Sequence, residues 1–201
     1  MRDEILTYLD MCQRERMSLQ RGMNFCEPPG ISIVLMSRRR NAPYEDELSA
    51  DGTELVYEGH DLARGPGVDP KSVDQPRNLP SGAPTENGKF ATACEQGGAL
   101  VGVYEKLQPG IWSDKVLFDL TSYEFKEARG RKVFKFHMKL ADADESDPTR
   151  VVGEPDRRLI PGWVKQEVFK RDKGACVLCL AKDNLHFDHD LPFAKGGASI
   201  T

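Results

Sequence analysis

Residues 31–37, ISIVLMS, form a nearly continuous apolar, β-branched run after Pro28-Pro29-Gly30, which predicts a buried strand. TELVYEG (53–59) alternates and predicts a second strand. Three more are expected at LVGVYEKL (100–107), KVLFDLTSYEFK (115–126) and KVFKFHMKL (132–140), separated by turns at Pro109-Gly110 and Arg129-Gly130. Helical spacing is found over residues 2–20, where Ile5, Leu6, Leu9, Met17 and Leu19 recur among charges. It returns in GKFATACEQG (88–97) and WVKQEVFKRD (163–172). Residues 61–89 are rich in Pro, Gly, Asp and Asn without periodicity, predicting a long irregular loop. Trp112, Phe118, Phe134 and Phe136 are expected in the core.

These elements divide the chain. The first 140 or so residues predict a β-rich α+β domain, a curved sheet or barrel with one or two helices. The stretch 141–162 is acidic, contains prolines and is poor in large apolar residues, which suits a linker. A boundary is expected near 145–160, giving a domain over 1–145, a linker over 146–162 and a small unit over 163–201.

Composition adds less. Of 201 residues 39% are hydrophobic and 30% charged, as in soluble globular proteins, and no apolar run approaches the ~18 residues of a membrane span. The charged start, MRDEILTYLDMCQRERM, is no secretory signal, so a cytoplasmic location is expected. The net charge of −4 does not announce a nucleic-acid binder, but Arg38-Arg39-Arg40 and the group Lys165, Lys170, Arg171 and Lys173 are locally basic. The five cysteines lack a disulfide-scaffold spacing; Cys12, Cys26 and Cys94 read as small apolar residues.

Cys176-Val-Leu-Cys179 differs from the others. A C-x2-C turn presents two thiolates on one side of a tight loop, half of a tetrahedral zinc site. Thiol–disulfide exchange and two unligated cysteines are the alternatives. Downstream stands LHFDHDLPFAKGG (185–197), with Asp188 directly before His189. The ordered string of helix, Arg171-Asp172, C-x2-C, His186-Phe-Asp188-His189, Pro192 and Gly196-Gly197 resembles the first half of an HNH endonuclease, the ββα-metal fold, over residues 163–199. The resemblance implies that His189 is the general base, Asp188 a ligand of a catalytic divalent cation such as Mg²⁺, and Cys176 and Cys179 ligands of a structural Zn²⁺. His186 is expected to pack or orient. The chemistry agrees: a neutral imidazole can take a proton from water near pH 7, and a cation neutralises charge growing on the phosphate. Since the sequence stops at GGASIT, before the family's remaining ligands, a truncated nuclease is expected, one that need not cut as given.

A second resemblance covers the first 140 residues. ISIVLMSRRRNAPYEDELSADGTELVYEGHD (31–61), NGKFATAC (87–94), VGVYEKL (101–107) and GIWSDKVLFDLTSYEFKEARGRKVFKFHMKL (110–140) are similar, in order, to an SRA domain (SAD-SRA or YDG). That family binds DNA by turning a modified cytosine out of the duplex. The resemblance implies that Tyr44 and Tyr57 stack on the extruded base and that Asp46 or Glu47 accepts from its N4 amine; Arg38, Arg39 and Arg40, just before this loop, are expected to contact phosphates or enter a groove. For the tyrosines ordinary strand packing is the alternative; for the arginines, a solvated loop. Glu58 stands where many relatives carry a small hydroxyl residue. Arg64, Lys71 and Arg77 in the long loop could embrace the duplex. Together the two resemblances imply a bacterial modification-dependent restriction endonuclease. Its partner would be double-stranded DNA with 5-methylcytosine or 5-hydroxymethylcytosine, and double-strand cutting would call for a homodimer. A non-catalytic reader of modified DNA is the alternative, and a zinc-knuckle regulator with a β-rich sensor domain a third.

Overall fold

The computed structural model describes residues 4–38, 42–65, 67–113, 116–141, 160 and 162–187. In chain order the elements are β1 (Ile5–Thr7), α1 (Tyr8–Glu15), β2 (Met23–Asn24), β3 (Ser32–Met36), β4 (Glu47–Leu48), β5 (Glu54–Glu58), α2 (Glu86–Glu95), β6 (Ala99–Gln108), β7 (Ile111–Ser113), β8 (Val116–Ala128), β9 (Arg131–Leu140) and α3 (Gly162–Arg171). The strands make one open sheet in the order β1-β7-β6-β8-β9-β5-β4, with β3 added to β6 and β2 to β3. All pairings are antiparallel except β3 with β6, which sets Val34 against Val103.

The apolar run of β3 is explained by a core on each side of it. Its side chains alternate with a period of two. Val34 and Met36 enter a core with Leu55, Phe90, Val101, Val103, Phe118, Phe136 and Met138, while Ile33 enters a second with Leu6, Met11, Leu19, Tyr104 and Trp112. Trp112, Phe118, Phe134 and Phe136 are all buried, as expected. The α2 helix starts where Thr85 caps it, accepting from the Gly88 N–H, and lays Phe90, Ala91 and Ala93 onto the first core.

Two expectations are corrected. The helix read over residues 2–20 is shorter and follows a strand: Thr7 and Asp10 form a capping box that starts α1 at Tyr8, and Arg16, left-handed at φ 54°, stops it. Leu9 and Met17 are therefore exposed, and Leu19 reaches the core from beyond the helix. The loop over 61–89 is shorter than read, since α2 begins at Glu86, and polar side chains tie it to the sheet. Gln75 is buried; its amide donates to the Gly59 carbonyl at 2.6 Å and accepts from the Phe134 N–H at 2.8 Å, occupying the place of a strand residue. Asn87 joins the same loop to His60 through bonds of 2.9 Å in both directions. Gly59 passes so close that a Cβ there would lie 2.5 Å from the Asn87 amide oxygen.

The unit after the expected linker touches the sheet twice. Residues 146–159 and 161 lie outside the described residues, but Ile160, Val164 and Lys165 are buried, and Gln166 donates to the Lys106 carbonyl of β6. The Ile5 N–H donates to the Leu185 carbonyl at 2.9 Å, and Glu4 bridges His186, so the chain beyond the cysteine turn extends the sheet at β1. No helix among the described residues is long and apolar enough to cross a membrane.

Candidate functional site

Charged side chains gather where β5 ends, beneath the 42–48 loop and the tip of the β8–β9 hairpin. Asp46 faces inward. Its Oδ2 accepts from the Ser37 N–H at 3.2 Å and its Oδ1 from the Glu58 N–H at 3.1 Å. Burial pushes its pKa up to about 6 despite those two bonds, and the neighbouring Glu58 carboxylate adds to the rise.

Glu58 is itself fully buried, which a carboxylate tolerates only when paired. Its Oε2 accepts from the Glu45 N–H, from Lys135 Nζ and from Arg129, each at 3.1 Å. Its Oε1 lies 3.7 Å from the Arg131 guanidinium and has no hydrogen-bond partner among the described residues. Arg131 is taken up at 2.7 Å by Asp61, which Lys71 also grips at 2.7 Å. Burial would raise the Asp61 pKa, but hydrogen bonds from Lys71, Arg131 and Gln75 hold it below the ordinary range. The Tyr44 hydroxyl accepts from the Asp61 N–H at 3.4 Å, and Lys71 Nζ stands 4.1 Å from the centre of the Tyr44 ring. One network therefore links a half-buried aromatic ring, three carboxylates and four cations.

Of the residues expected at a base pocket, the structure brings Tyr44 and Asp46 into this network. Glu47 is exposed on β4, opposite Val56, so of the two candidate carboxylates Asp46 is the one turned inward. Tyr57 is corrected. Its ring is 3% exposed within the first core, and its hydroxyl donates to the Gly22 carbonyl at 3.0 Å. Burial holds that phenol well above its usual pKa, and strand packing is the role its geometry fits. Arg38 pairs with Glu105 at 2.9 Å, against Gly162 at the start of α3. Arg39 and Arg40 lie outside the described residues. Arg129, Arg131 and Lys135 were missed by sequence reasoning. The available signal was Lys135, a charge inside the buried run Val133-Phe134-Lys135-Phe136.

At the other end of the sheet the cysteine turn is closed by the Cys176 N–H donating to the Ala181 carbonyl at 2.8 Å and the Leu180 N–H donating to the Cys176 carbonyl at 2.9 Å. The Cys176 sulfur accepts from the Cys179 and Leu178 N–H groups, which lowers its pKa and favours the thiolate a metal needs. Both thiols are free. Among the described residues no three His, Cys, Asp or Glu side chains group closely enough to hold a metal. Asp188 and His189 lie outside the described residues, and His186 is exposed. A cleft of about 930 Å³ separates this unit from α1, with Arg14, Lys170, Lys173 and Lys182 among its lining.

No protein-family model matches the chain, and no curated protein does. Among solved structures it is similar to the SRA domain of SUVH5 bound to fully hydroxymethylated CG DNA, with a TM-score of 0.48 and 21% identity over 67% of this chain and 83% of that one. A SUVH5 SRA complex with hemi-methylated CG DNA gives 0.49 and 20% over 73% and 92%. The type IV phosphorothioation-dependent restriction endonuclease ScoMcrA gives 0.48 and 17% over 83% of this chain and 28% of that one.

Proposed function

We propose that this chain reads double-stranded DNA carrying a modified cytosine, and that its C-terminal unit belongs to an HNH-type nuclease. The observation that carries the first half is Asp46, an inward-facing carboxylate fixed by two backbone N–H groups within one network with the half-buried Tyr44 ring. Extruding a base costs a few kcal/mol in lost stacking and pairing, which an aromatic face and hydrogen bonds to the Watson–Crick edge must offset. Tyr44 supplies the face. Each Asp46 oxygen accepts one backbone bond and keeps a lone pair for the N4 amine of cytosine.

The second half rests on the HNH resemblance and on the Cys176 turn. In this reading Cys176 and Cys179 supply two of the thiolates of a structural Zn²⁺; the lowered pKa of Cys176 fits that use. Asp188 holds a divalent cation such as Mg²⁺, which when bound offsets negative charge on the phosphate, and His189 takes the proton of the attacking water. A non-catalytic reader of modified DNA is the alternative. Cleavage assays decide between them. Mg²⁺-dependent cutting of a modified duplex that is lost in His189→Ala, with binding kept, supports the nuclease; binding with no cutting supports the reader.

A further inference from the structure

We infer that Glu58 reads the substituent at C5 of the extruded cytosine, and that the pocket is built for a substituent that donates a hydrogen bond, hydroxymethyl before methyl. This rests on the base-extrusion reading above and adds a ligand to it. The Glu58 carboxylate is fully buried and its two oxygens are unequal: Oε2 is saturated by three donors, and Oε1 has none among the described residues. The nearest cation, Arg131, stands 3.7 Å from Oε1, beyond hydrogen-bond distance, and directs donors to Asp61 and to the Pro70 and Val73 carbonyls. A buried acceptor left without a donor is costly, so a ligand that brings one gains more than a ligand that does not.

The place of this oxygen ties it to the base. The Glu58 backbone N–H bonds Asp46, the group proposed for the amine edge, and Arg131 and Asp61 connect Oε1 to the Tyr44 hydroxyl. With Asp46 serving the amine, the open donor requirement at Glu58 falls to another part of the same base. A methyl group leaves Oε1 unpaired. A hydroxymethyl group donates to it. A formyl group, which only accepts, sets a carbonyl oxygen against a carboxylate oxygen.

The test is competitive binding of the 201-residue chain, at fixed salt, to matched duplexes with cytosine, 5-methyl-, 5-hydroxymethyl- or 5-formylcytosine. The wild-type protein should prefer hydroxymethyl to methyl by roughly tenfold, the range of one hydrogen bond to a charged group, with formyl the weakest of the modified three. Glu58→Gln inverts the chemistry at one atom. The three donors at Oε2 hold the amide oxygen there, so the amide N–H₂ takes the place of Oε1, and formyl should rise above methyl. Methyl bound as tightly as hydroxymethyl by the wild-type protein overturns the inference even if Glu58→Gln does not fold. So does a folded Glu58→Gln protein in which all duplexes weaken together. Binding that does not distinguish any modified duplex from plain cytosine would instead remove the base-extrusion reading itself.

Discussion

Asp46 keeps its proton to higher pH than an exposed carboxylate, and this couples the site to stability. With its pKa raised from 3.8 to about 6 on folding, the folded chain binds more protons than the unfolded one between those values. Its contribution to stability therefore falls as pH rises through that window, by roughly 3 kcal/mol at most, and stays level above it. Asp46→Asn should abolish this slope: urea unfolding at pH 4 and pH 7 should show the variant gaining on the wild-type protein across the window. An equal pH slope in both would refute the burial of this charge. The two tyrosines should separate as well. Tyr44→Ala should cost tenfold or more in preference for modified DNA with little loss of stability. Tyr57→Phe, which removes a buried hydroxyl bonded to Gly22, should cost about 1 kcal/mol of stability and leave that preference intact. The sequence made Tyr44 and Asp46 legible because they are near neighbours in one loop. It also held the signal against Tyr57, which shares a face of β5 with Leu55, a fully buried residue, by the two-residue period of a strand.

At the scale of elements, the long strands β6, β8 and β9 were legible because each carries enough apolar positions to declare its period. The short ones were not: β1 and β7 have three residues each, and pairing of β7 with β1 and β6, together with the core behind Leu6 and Trp112, defines them. The break between β1 and α1 was nevertheless written in Thr7-x-x-Asp10, and Thr7→Ala should lower stability by about 1 kcal/mol in denaturant unfolding. The loop before α2 defeated periodicity because Gln75 and Asn87 replace backbone bonds with side-chain ones. Gly162 tests the docking of α3. A Cβ there would run into the Glu105 carboxylate and the Arg38 guanidinium, so Gly162→Ala should speed hydrogen exchange of the α3 amides while sparing β8 and β9. Unchanged exchange in α3 would show that this contact does not hold the helix.

For the whole molecule, the two contacts of the C-terminal unit, through α3 on β6 and through Leu185 on β1, argue against two independently tethered bodies. Thermal unfolding should proceed in one cooperative transition. The chain's net charge of −4 means that attraction to DNA depends on local cations, and the cleft lined by Lys170, Lys173 and Lys182 faces α1, on the opposite sheet edge from β5, which carries Glu58, and from the loop that carries Asp46. Phosphate contacts weaken steeply with salt whatever the base, whereas a pocket that holds one base discriminates at any fixed salt. The most direct measurement is therefore the affinity of this chain for matched duplexes with cytosine, 5-methylcytosine or 5-hydroxymethylcytosine, at two salt concentrations. The account predicts a preference for modified duplexes that persists as all affinities fall with salt, and that disappears in Tyr44→Ala. Equal affinity for all three at both salt concentrations would contradict it, leaving the network around Asp46 and Glu58 as a device of folding alone.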